Sequence, residues 1–91
     1  MPDITWHSLA RRDLLVIVEF IADDNPDAAQ QFKNDLDKKV RSLVEFPKLG
    51  RPGRVLATRE LVIAANYIVV YRECASELHI LRVLHAAQQW P

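Results

Sequence analysis

ELHILRVLHAAQQWP, residues Glu77 to Pro91, contains the strand around which the other elements must assemble. Read with a period of two, Leu78, Ile80 and Leu84 fall on one side, and Leu81 and Val83 on the other. A strand that is apolar on both sides belongs inside a sheet with both faces covered, so Leu81 and Val83 are expected to be fully buried. Arg82 and His85 interrupt this run. Stability alone does not call for an arginine and a histidine at the end of a central strand, so both are candidate functional residues.

Upstream, Cys74-Ala75-Ser76 reads as a turn, and Tyr67-Ile68-Val69-Val70-Tyr71-Arg72 is a second strand rich in β-branched and aromatic residues. Tyr67 and Tyr71 share a face of it and read as core. A third strand begins near Thr58, where Arg59, Leu61 and Ile63 alternate with Glu60 and Val62. Short turns between the three make an antiparallel meander. Further back, Pro47-Lys48-Leu49-Gly50-Arg51-Pro52-Gly53-Arg54 reads as a loop and holds both glycines of the chain.

Before that loop the period is helical. Ala29, Phe32, Leu36, Val40 and Leu43 form a stripe on a helix that ends near Glu45, with Asn25 as its cap and Pro26 at its first position. Asp35–Lys39 and Asp37–Arg41 are solvated i,i+4 pairs. A four-residue turn, Asp23 to Pro26, separates this helix from an earlier one over Leu9 to about Ala22, for which Ser8 is the expected cap. The first helix buries Ala10, Leu14, Ile17, Val18 and Ile21, but Leu9, Val16 and Phe20 widen its apolar face. The ordinary reading of that width is deep burial, and the alternative is a docking surface. Ile4 and Trp6 alternate with polar neighbours in a short first strand.

The order is β-α-α-β-β-β. A helical hairpin and a meander each need an apolar surface covered, which predicts an α+β fold of two layers: an antiparallel helical hairpin on one face of a four-stranded, mainly antiparallel sheet. The N-terminal strand should lie on the free side of the last one, and the other sheet face should be left for solvent or partners. Residues 1–91 make one domain.

Twelve basic and twelve acidic side chains leave no net field to recruit nucleic acid, although a local patch can hide in a neutral total. Lys48, Arg51 and Arg54, followed by Arg59, form the one locally basic segment. It reads either as a solubilising loop or as a surface for phosphates or an acidic partner. A single cysteine, Cys74, and three unpaired histidines predict no metal site and no cofactor. No apolar run approaches the roughly 20 residues of a membrane helix, so no membrane partner is expected, and the single cysteine fits a reducing cytoplasm.

The helical hairpin, the basic Gly-containing loop, TRELVI, YIVVYR and ILRVLH together resemble the RelE/ParE superfamily, the toxins of bacterial type II toxin–antitoxin modules, including plasmid-stabilisation systems. The resemblance covers nearly the whole chain and implies a growth-inhibiting toxin held inactive by a cognate antitoxin that orders on binding. ParE-type members poison DNA gyrase. RelE-type members cut messenger RNA on the ribosome, without metal, by 2′-OH attack on the adjacent phosphate. By resemblance to the latter, Arg59, Arg82 and His85 are the candidate catalytic residues: an imidazole to move a proton and guanidinium groups to hold the phosphate. The opening NPDAAQQF of the second helix resembles ParE-type members more closely, and a neutral chain is a poor match for work among ribosomal phosphates. Gyrase is thus the expected target, with ribosome-bound mRNA the alternative. Leu9, Val16 and Phe20 are the expected antitoxin contacts.

Overall fold

A computed structural model describes residues 3–63, 66–88 and 90. Strand β1 (Asp3–Trp6) leads into helices α1 (Ser8–Asp24) and α2 (Pro26–Glu45), followed by β2 (Arg51–Pro52), β3 (Arg59–Ile63), β4 (Tyr67–Cys74) and β5 (Glu77–His85). The strands form one sheet in the order β1-β5-β4-β3-β2. β5 is interior, as its two-sided apolar pattern requires, with β4 antiparallel on one side and β1 parallel on the other. The α+β order is the expected one, with one addition. Arg51 and Pro52, read as loop, pair with Glu60 and Arg59, so the sheet has five strands rather than four. Pro52 is tolerated because β2 is an edge strand.

The helical hairpin is tighter than its sequence suggests. Asn25 alone separates the helices: its N–H donates to the Ile21 carbonyl at 2.8 Å, closing α1, and its Oδ1 accepts the Ala28 N–H at 3.1 Å, opening α2. Pro26 takes the first helical position, where its missing donor costs nothing. At the start of α1, Ser8 is already helical. The cap position falls to His7, whose side chain makes no capping bond because its imidazole meets that of His79, with nitrogens 2.9 Å apart. Helix α2 buries all five residues of its stripe. In α1 Ala10 is fully buried, while Leu14, Ile17, Val18 and Ile21 pack half-buried against the core.

Two sheet-level features depart from the sequence reading. Arg82 pairs with Val70 and Ile80 with Tyr71, so Leu81 has no partner and forms a bulge in β5. One extra residue reverses the facing of everything after it. Leu78, Ile80 and Val83 therefore share the core under the helices, while Leu84 turns to the opposite face. Val83 is fully buried as expected; Leu81 is only half-buried, because it sits in the bulge. The face away from the helices is not open either. Ile68, Val70 and Leu84 are buried there, with Leu81 and Trp90 packed against them. Each such side chain contributes about 1.5–3 kcal/mol through burial, so this face is a second small core.

Candidate functional site

The structure accounts for Arg82 first. β1 stops at Trp6, opposite Ile80, and leaves the edge of β5 open beyond that point. Helix α1 crosses there, and Asp13 fills the gap. One carboxylate oxygen accepts the Val83 N–H at 3.0 Å, and both receive the Arg82 guanidinium, at 2.7 and 3.0 Å. The two side chains are only 23% (Arg82) and 16% (Asp13) exposed. Hydrogen bonding to Asp13 raises the Arg82 pKa above its ordinary value against the opposing effect of burial, so the charge is fixed and already paired. The guanidinium carbon also stands 5.9 Å from the centre of the Trp90 ring.

Arg59 lies on β3, two strands from Arg82 and one residue further along the sheet. It donates to the Gly50 carbonyl at 2.8 Å, beside the buried Tyr71. The Tyr71 hydroxyl donates to the Pro47 carbonyl at 2.6 Å and accepts the Gly50 N–H at 2.9 Å, tying the loop after α2 to the sheet. Burial pushes the Tyr71 pKa above its ordinary 10.0, against the pull of the Gly50 hydrogen bond and the Arg59 charge. Gly50 must lack a side chain: a Cβ would lie 2.8 Å from the Tyr71 ring and hydroxyl and 3.0 Å from the Glu60 carbonyl oxygen.

The basic segment divides in the same way. Glu60, which alternates with Arg59 and Leu61 along β3, is a buried carboxylate, 2% exposed. It accepts the Arg54 N–H at 3.0 Å, and the guanidinium groups of Arg51 and Arg54 each approach it to 3.5 Å. Arg54 also donates to the Gln88 and Ala86 carbonyls at 3.0 and 3.2 Å, clamping the C-terminal segment over the second core. Lys48 is exposed and the Arg51 side chain is 59% exposed, so these two project from the segment into solvent.

His85 is brought to the helix face by the bulge. Its ring meets that of Tyr67 edge-on at 5.3 Å, and Tyr67 packs on Phe32 at 5.1 Å. The groove in front of it is lined by Phe20, Ile21, Ala28, Gln31, Phe32, Asp35, Tyr67 and His85, with no lysine or arginine among them. Arg59 pairs with Tyr71 and His85 with Tyr67, four residues apart along β4. At about 3.3 Å per residue that separates their rows by roughly 13 Å. Arg59 and His85 are therefore kept apart, and Arg82, which lies between their rows, is taken up by Asp13.

Leu9, Val16 and Phe20, spaced i, i+7 and i+11, lie along one exposed side of α1. The deep-burial reading of the wide apolar face fails, since Phe20 is 71% exposed. The stripe follows a groove walled by Arg12, Asp13, Arg82 and Val83 towards the one that holds His85. Sequence reasoning overlooked Leu15, exposed on the other flank of α1, and Leu56, exposed after the basic loop. Leu15 follows Leu14 off the counted stripe, and Leu56 lies in a stretch with no period.

Among the described residues, no group of three or more His, Cys, Asp or Glu side chains is placed to hold a metal ion, and no helix is long and apolar enough to cross a membrane. Comparison with known proteins agrees with this architecture. The chain is 45% identical over 89 residues to the putative toxin Y4kP of Sinorhizobium fredii, covering 97% of this chain and 92% of that one. It is 39% identical over 91 residues to toxin RelE2 of Caulobacter vibrioides, covering 97% and 99%. Among solved structures it resembles a chain of the chromosomal ParDE TA system from P. aeruginosa, with a TM-score of 0.80 and 26% identity over 93% of this chain and 96% of that one. The YafQ structure from E. coli, at a TM-score of 0.64 and 17% identity over 96% of each chain, shares the fold. Residues 4–90 match the profile of the family described as ParE toxin of type II toxin–antitoxin system, parDE, and the chain belongs to that family, within the RelE/ParE superfamily of toxins.

Proposed function

We propose that this toxin acts by poisoning DNA gyrase and is neutralised by an antitoxin seated along α1. The observation that carries the first part is that the cations an RNA-cleaving site would need are engaged within the fold and absent from the groove at His85. Arg82 is paired with Asp13, Arg59 is held at the Gly50 carbonyl, and the groove in front of His85 has no cationic lining. Phosphoryl transfer needs cations aimed at the developing charge, beside the proton-transfer group. A gyrase poison needs only a contact surface. The second part rests on the exposed Leu9–Val16–Phe20 stripe, which suits an apolar segment that orders on binding. Asp23 and Asp24, at the end of α1 beside Phe20, favour a cation on that segment.

Brief induction followed by parallel mapping of gyrase-linked DNA breaks and new mRNA 5′ ends tests the target. DNA breaks are expected, with His85→Ala still toxic. A-site mRNA cuts that vanish in His85→Ala would replace this reading with the nuclease one.

A further inference from the structure

The hairpin loop between β2 and β3, residues 53–58, is built as a rigid pedestal for one apolar side chain. Its ends are tied by the Gly53 N–H to the Thr58 carbonyl at 2.8 Å, and its interior by the Thr58 N–H and hydroxyl to the Val55 carbonyl at 3.1 and 2.6 Å. The Arg54 N–H is anchored on the buried Glu60. Gly53 lies so close to Thr58 that a Cβ would meet its Oγ1 at 2.2 Å. Ala57 is held at φ 68°, a left-handed conformation that a residue with a Cβ adopts only where its surroundings enforce it. On top of this bracing Leu56 is 95% exposed, the highest value among the large hydrophobic side chains of the described residues.

Single exposed leucines are common on protein surfaces. A strained, hydrogen-bonded loop that projects one is not explained by folding, because nothing in the fold uses the leucine. The charge of the segment that carries it narrows what it meets. From residue 48 to residue 60 the chain carries Lys48, Arg51, Arg54 and Arg59 against Glu60 alone, a local balance of +3 (four minus one) in a chain of zero net charge. We infer that this loop is the docking element for the toxin's target. Leu56 inserts into an apolar pocket on a protein surface whose rim is acidic, and Lys48 and Arg51 meet the rim. This inference rests on the reading of the chain as a poison of a protein target.

The placement separates this element from the antitoxin stripe. α1 packs on β5, whereas β2 is the far edge of the sheet, three strands away in the order β5-β4-β3-β2. At about 4.8 Å per strand that is roughly 14 Å. The two surfaces can therefore be disabled one at a time.

The test is Leu56→Ser, an exposed site where folding is not at stake, beside Lys48→Glu/Arg51→Glu. Growth arrest on induction, the thermal midpoint and copurification with the cognate antitoxin are measured for each. Purified DNA gyrase with supercoiled plasmid gives the dose needed for DNA cleavage. Leu56→Ser should lose growth arrest and need at least about tenfold more toxin for cleavage, as expected of a buried interface anchor. Its thermal midpoint and antitoxin capture should be unchanged. Leu56→Ser that arrests growth as the parent does overturns the inference, whatever the parent's target. So does a result in which only the charge reversals matter, which would make the loop a phosphate-facing surface. Absence of gyrase-linked breaks with the parent toxin is a separate failure, of the gyrase reading, and leaves growth arrest by Leu56→Ser as the measure of docking.

Discussion

Removing the Asp13 carboxylate should unfasten the open edge of β5. In Asp13→Ala the Val83 N–H, on a residue 1% exposed, loses its acceptor. An unsatisfied buried donor costs about 1–3 kcal/mol. Arg82 simultaneously loses a two-pronged bond in a site that is mostly but not wholly buried. A charge-assisted bond contributes about 1.5–3 kcal/mol, reduced here because water can reach the guanidinium from the groove beside α1. Together these give a loss of about 3 kcal/mol. With a urea slope near 1.5 kcal/mol/M for a chain of this size, the midpoint should fall by about 2 M. Asp13→Asn keeps an acceptor for Val83 but not the charge, and should lose roughly half as much. Urea denaturation followed by tryptophan fluorescence is well placed to read this, since Trp90 packs near Arg82. A cycle with Arg82→Ala should return a coupling above about 1 kcal/mol. A loss under 0.5 kcal/mol in Asp13→Ala, or no coupling, would show that the edge is closed by something other than this carboxylate.

The loop after α2 offers two further checks. Tyr71→Phe removes the hydroxyl that joins Pro47 to Gly50 and should cost about 1–3 kcal/mol in the same denaturation experiment. Because burial raises the Tyr71 pKa in the folded state, its neutral form contributes stability that is complete below the ordinary value of 10.0 and is lost as pH rises through the higher folded value. Absorbance titration should therefore show one tyrosine ionising late, together with alkaline unfolding, and Tyr71→Phe should lack it. A tyrosine signal complete by pH 10 in the parent would contradict the burial. Gly50→Ala forces a Cβ against the Tyr71 ring and the Glu60 backbone, and should cost about 1–3 kcal/mol by overpacking. An unchanged midpoint would mean that the loop can move away.

The architecture was legible because it depends on period and punctuation, which are local. The two-sided apolar run from Leu78 to Leu84 requires an interior strand, the spacing from Ala29 to Leu43 requires a helix with one wet side, and Asn25-Pro26 marks where that helix begins. The resemblance added the toxin family, which the profile match over residues 4–90 bears out. The candidate site was legible only as residue types. Arg59, Arg82 and Arg54 were visible as arginines, but whether an arginine is available depends on acceptors far away in sequence: Gly50, Asp13, and Glu60 with the carbonyls of Ala86 and Gln88. Asp13 and Arg82 are 69 residues apart, and no periodicity links them.

The chain's own pattern thus determined which segments are helix and strand, that β5 is interior, and that α1 has a wide apolar face, whose exposure the structure decided. Tertiary structure alone decided which way the end of β5 faces. A period-two reading assumes an unbroken ladder, and the bulge at Leu81 adds one residue to one strand only, turning Val83 and His85 towards the helices and Leu84 away. It also decided that Glu60 is buried, because a carboxylate can leave water only where donors from elsewhere replace its hydration, and those donors come from the neighbouring β2 and the loop behind it.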